Sequence, residues 1–129
     1  MTWVDLKEEV PDEVWQSVTL GEDTLGDRFL DRARVWLSAR LIPCGVDSWD
    51  EDNDQIIRQA LLYRAQYELY AFVEKEELAF DKRDAAEELL RAKFGRCIDN
   101  ADKDQEVSPQ NPYIYVSEAS NGWNGFNKQ

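Results

Sequence analysis

From Gln55 to Phe80 the chain reads QIIRQALLYRAQYELYAFVEKEELAF, with no proline or glycine. Ile57, Leu61, Ala65, Leu69 and Val73 recur every four residues, and Ile56, Ala60, Tyr63, Tyr67 and Tyr70 form a second row beside them. Two adjacent rows make an apolar face wider than a surface helix needs. The spacing therefore predicts the central helix of an all-α domain. No breaker separates it from Asp81–Phe94, DKRDAAEELLRAKF, whose acids come early and bases late, in the order that suits a separate helix dipole. We place a break near Phe80–Lys82, with Asp81 as N-cap, giving an antiparallel hairpin. One continuous helix to Phe94 is the alternative. Ala85, Ala86, Leu89, Leu90 and Phe94 form the closing helix's apolar face, and Gly95 suits its C′ position.

Upstream, residues 1–20 read as an arm. Val4, Leu6 and Val10 lie among acids, Pro11 can open a short helix, and Trp15 and Val18 would dock on the body. A first substantial helix is expected from Thr24 to Leu41, with Thr24 and Asp27 resembling a capping box. Leu25, Phe29, Ala33, Trp36, Leu37 and Leu41 share one face, and Asp27, Asp31, Arg34 and Ser38 the other. Gly26 costs a little helix stability. Pro43 and Gly45 stop the helix. The loop 43–54 carries five acids, with Asp52 or Asn53 as N-cap of the central helix.

The expected fold is thus a small helical bundle over residues 1–98, with a long central helix and hairpin. An extended or mobile C-terminal tail over 99–129 follows, because NADKDQEVSPQNP is polar and aperiodic. Within that tail Pro112–Val116 is a β-prone run suited to pairing as an edge strand. Tyr113, Tyr115, Trp123 and Phe126 are its candidate partner-binding residues. Burying one of these large apolar groups in a partner contributes roughly 2–3 kcal/mol, the alternative being an arm that packs back on its own domain or a tail with no role.

Charge and composition exclude several functions. The net charge of −12 argues against nonspecific binding to nucleic acid or anionic membranes. No apolar run approaches the roughly 20 residues of a membrane span. MTWVDLKEEV is too acidic and polar for a signal peptide, which predicts a cytoplasmic protein, or one made and used without export. The chain has no histidine, which removes His-based acid–base catalysis, His-containing triads and the usual zinc sites. Cys44 and Cys97 are far apart and belong to no Cys-x-x-Cys pair, so two small buried thiols are expected, with a disulfide as the alternative.

The remaining candidate sites are weak. Asp50, Asp52 and Asp54 have the spacing that opens an EF-hand loop, but Gln55 stands where Gly is required and Leu61 where a bidentate Glu is required. Glu68, Glu74, Glu76, Glu77 and Glu87 could pair carboxylates across two helices, but a di-metal bundle also wants histidines. Tyr63, Tyr67 and Tyr70 read as core packing with hydroxyls at the rim, a peptide groove being the sharper alternative. Arg28, Arg32, Arg34, Arg40, Arg58 and Arg64 are expected in ion pairs within or between subunits. No nucleophile–base pair, metal site, cofactor site or phosphate loop appears, so no enzyme is expected.

The layout resembles the small helical head–tail connector (adaptor) proteins of tailed phages, and is similar to Mu-type small helical virion proteins. The residues that carry the resemblance are VDLKEEV, then DTLGDRFLDRARVWLSARL, then a loop, then IIRQALLYRAQYELYAF and a shorter closing helix, together covering roughly residues 3–96. From Asp99 onward the chain departs from that pattern. The resemblance implies a non-enzymatic part of the virion. Such a protein forms a ring beneath the portal, extends the DNA channel and presents a surface to the next connector or tail protein. An acidic lining would let DNA slide without sticking. The rival expectation is a small acidic regulator that imitates DNA charge and inhibits a host nucleic-acid enzyme. Its interleaved Lys and Arg count against it, since a mimic wants long one-signed faces.

Overall fold

The computed structural model describes residues 1–99. The chain divides after Ile98 into two units, and the unit Met1–Ile98 is the one described below. Every regular element among the described residues is helical. They are α1 (Trp3–Lys7), α2 (Asp12–Thr19), a 3₁₀ turn (Asp23–Gly26), α3 (Asp27–Leu41), a second 3₁₀ turn (Ile42–Cys44), α4 (Gln55–Phe72) and α5 (Glu76–Phe94). A further helical turn begins at Arg96. The all-α bundle with a long central helix and hairpin is therefore present.

Cross-helix pairs give the direction of each helix. Arg32 faces Glu68, and Arg64 lies over Trp36, so α3 and α4 run antiparallel. Lys82 lies over Tyr63, and Lys93 pairs with Asp54, so α4 and α5 are antiparallel as well. It follows that α3 and α5 run parallel, and their C-terminal ends lie together. The core sits where the three meet, around the predicted row Ile57, Leu61, Ala65 and Leu69, all essentially inaccessible to solvent. In the second row Ala60 and Tyr70 are buried, Tyr63 and Tyr67 are half-buried, and Ile56 is exposed. From α3 come Phe29, Leu30, Ala33, Leu37 and Leu41, and from α5 come Ala79, Ala86 and Leu90.

The hairpin breaks at Val73–Lys75, earlier than the expected Phe80–Lys82, and Asp81 lies inside α5. The reason is backbone closure without glycine. Glu74 takes a left-handed conformation (φ 61°), its amide bonds Ala71 O at 3.1 Å, and the Lys75 amide bonds Tyr70 O at 2.9 Å. That is the Schellman pattern, in which the left-handed position usually falls to Gly or Asn. Neither proline nor glycine marks this turn in the sequence.

Other boundaries shift for similar local reasons. Asp54, not Asp52 or Asn53, caps α4, accepting from the Ile56 and Ile57 amides at 3.1 and 3.2 Å. The expected first helix from Thr24 is a 3₁₀ turn followed by α3. The capping box forms instead on α1, between Thr2 and Asp5. Asp27 accepts the Trp3 amide at 2.8 Å and so ties the arm to the start of α3. Pro11 sits at the N-cap of α2 rather than inside it.

The arm docks as predicted, with Leu6 and Trp15 fully buried and Val10 and Val18 nearly so, although Val4 is exposed. Gly26 is what lets it dock. A Cβ there would collide with the Trp15 ring and touch the Trp3 Cβ. Gly26 was a mild liability in the sequence, and in the fold it is a contact requirement. Gly26→Ala is expected to destabilise the protein by about 1–3 kcal/mol through overpacking against a rigid ring. A urea midpoint equal to that of the parent would contradict this.

The two cysteines correct an expectation. Cys44 and Cys97 form a disulfide, with Cα atoms 5.1 Å apart. Both lie just beyond the C-terminal ends of the parallel helices α3 and α5, which is why residues so distant in sequence meet within bridging distance.

Candidate functional site

An open groove of about 250 Å³ lies where the arm meets the bundle. Val18 and Leu20 reach it from the end of α2, Leu25 from the 3₁₀ turn, Phe29 from α3 and Phe72 from the last residue of α4. Arg28 and Arg32 complete its lining. Phe29 and Phe72 meet edge-to-face, with centroids 6.0 Å apart. The floor is buried, but Leu20 is 82% and Phe72 63% exposed. Leu20 also holds a left-handed backbone (φ 54°), an unfavourable state for a branched residue. Arg32 stacks on Phe29 at 5.8 Å and reaches Glu68 only at 4.0 Å. The groove is smaller than the roughly 300–1,000 Å³ of small-molecule sites. Its size and chemistry suit one or two apolar side chains accompanied by carboxylates.

Elsewhere Arg34, Arg40, Arg58 and Arg64 are committed to the fold. Arg34 grips Glu51 at 2.8 Å, Asp31 at 2.8 Å and the Met1 carbonyl at 2.6 Å. Arg58 pairs with Asp5 at 2.7 Å. Arg40, fully buried, pairs with Glu87 across α3 and α5. Arg64 lies 4.5 Å from the Tyr67 ring and 5.1 Å from the Trp36 ring, and burial pushes its pKa down. The tyrosine stripe therefore forms no groove. Tyr70 is buried, and Tyr63 and Tyr67 lie under Lys82 and Arg64. Burial also raises the Tyr70 phenol's pKa.

The same pairing depresses several carboxyls. Asp5 is held low by the Thr2 amide and then Arg58, Asp23 by the Trp15 indole and then Lys7, and Asp50 by the Asn53 side chain. Arg34 lowers Glu51, and Lys93 with the Ile57 amide lowers Asp54. A carboxyl whose folded pKa lies below its unfolded value adds stability that is present above the unfolded pKa and lost as pH falls through the folded one. Stability should therefore hold near neutrality and fall once pH drops below about 4, the ordinary carboxyl range. Urea midpoints at neutral pH and in acid measure it, and equal midpoints would mean these contacts do not form in solution.

Among the described residues no group of three or more His, Cys, Asp or Glu side chains is placed to hold a metal ion. No described helix is long and apolar enough to cross a membrane. The EF-hand-like acids have structural uses. Asp50 accepts from Asn53, Asp52 meets the Met1 amino group at 2.9 Å, and Asp54 caps α4. Tyr113, Tyr115, Trp123 and Phe126 lie outside the described residues. The groove was missed because its walls come from three separate stretches. Its legible signals were Leu20 beside Gly21 and Phe72, which belongs to neither apolar row of α4. No family model, curated protein or solved structure matches this chain.

Proposed function

We propose that this protein is a structural part of a tailed-phage virion, a head–tail connector that sits on the portal as a ring and extends the DNA channel towards the tail. The observation that carries the reading is the order of elements. A short docked arm, an amphipathic helix, an acidic loop, a long central helix and a closing helix follow one another as the resemblance requires. The apolar groove agrees with it, since a protein that works by assembling needs uncovered apolar surface. A net charge of −12 suits a channel that repels DNA. The DNA-mimic alternative shares that charge, but Arg34, Arg40, Arg58 and Lys93 pair with the acids it would need on show.

The test is binding to the portal ring encoded in the same genome, followed as mass added per ring. Decoration by one 15.0 kDa chain per portal subunit is the expected result. Absence of binding to portal rings and to filled heads overturns the reading. Salt-sensitive binding to a DNA-binding enzyme would then favour the mimic.

A further inference from the structure

The groove has a complement on another face of the same chain. Along α5, each of Glu77, Phe80, Asp81, Asp84 and Glu88 lies three or four residues from another of the set, so they share one side of the helix, and all are exposed. Phe80 is 45% exposed, with Arg83 over one face of its ring at 4.6 Å. This face presents an aromatic side chain among four carboxylates. The groove presents Leu20 and Phe72 together with Arg28 and Arg32. An apolar cleft with cations at its rim requires an apolar knob with anions at its rim, and the chain carries both.

We propose that the groove takes the α5 face of a second copy of this chain. Phe80 of one copy enters against Leu20 and Phe72 of the next, and Glu77 and Asp81 meet Arg28 and Arg32. A protein of net charge −12 repels its own copies at long range. Association therefore has to bring exposed cations onto an acidic face at close quarters, where a complementary contact fixes both partner and register. The two patches lie on different elements of the chain, so the contact can be made head to tail or reciprocally. Repeated with closing rotation it makes a ring, and used twice about a two-fold axis it makes a dimer. The connector reading supplies only the expectation of a ring. The contact itself is independent of it.

Sedimentation of the full chain over a concentration series, at physiological ionic strength, tests the contact. The wild type is expected to self-associate. Arg28→Glu with Arg32→Glu should weaken association about tenfold or more, and so should Glu77→Lys with Asp81→Lys. Mixing the two charge-reversed proteins should restore association, because the swapped charges again face one another. All four side chains are exposed, and unchanged helical circular dichroism confirms that the variants fold. Leu20→Asn, which keeps a residue tolerant of the left-handed backbone, should also weaken association by removing apolar contact without touching charge. A wild type that stays monomeric throughout overturns the proposal. So does self-association indifferent to both charge reversals, or a mixture that fails to restore it. Portal binding is scored separately. Self-association without portal binding removes the connector reading and leaves this contact standing, and portal binding by a chain indifferent to these changes does the reverse.

Discussion

Trp15→Ala is expected to cost about 3–5 kcal/mol, the range for removing a large aromatic side chain from a core. The magnitude follows from what the ring holds together. It is fully buried, lies against Gly26, and donates its indole N–H to Asp23 at 2.8 Å. Asp23 also receives Lys7 from α1 at 3.3 Å. One side chain thus joins α1, α2 and the 3₁₀ turn that leads into α3. Domains of this size have roughly 5–15 kcal/mol in total, so the variant should unfold at much lower urea. Trp15→Phe keeps most of the apolar volume and loses the indole donor, so its smaller cost separates packing from the hydrogen bond. The arm also supplies Val18 and Leu20 to the groove, so Trp15→Ala should weaken self-association along with stability. A loss below about 1 kcal/mol would mean that the arm does not dock in solution.

Removing the Cys44–Cys97 bridge is expected to cost about 4 kcal/mol. The bridge spans 53 residues, and closing a loop of that length in the unfolded chain removes entropy of this order. The comparison is between the oxidised protein and the Cys44→Ser, Cys97→Ser double variant, by denaturant unfolding without reductant. The variant should lose stability with its helices retained, because the core of α3, α4 and α5 does not include the sulfurs. Reductant should lower the wild type towards the variant and leave the variant unchanged. In a reducing cytoplasm the same two residues stay thiols, and the folded protein there has the lower stability. Equal stability of the oxidised protein and the variant would contradict the estimate.

Helices were the most legible feature because their signal is local. Ile57, Leu61, Ala65 and Leu69 repeat at the period of the backbone, and that repeat survives any tertiary arrangement. The same holds for Phe29, Ala33, Leu37 and Leu41. Boundaries were less legible where closure did not use the usual residue. Glu74 turns left-handed at the hairpin in a position where Gly would have marked the turn. Leu20 and Phe72 stood out singly, but the groove as a site was not legible, because Leu20, Phe29 and Phe72 are brought together only by the antiparallel packing of α3 on α4 and the docking of the arm.

By itself, then, the sequence determined an acidic all-α unit, the long apolar helix at its centre, the docking of Trp15 and Val18, and a chain without histidine chemistry. These follow from periodicity and composition, which every local stretch carries. Tertiary structure alone decided that α3 and α5 run parallel, that Cys44 meets Cys97, that Gly26 must stay small beneath Trp15, and that two arginines flank an open apolar groove. Each of these depends on residues distant in sequence, and no local pattern encodes which surfaces will face one another once the core closes.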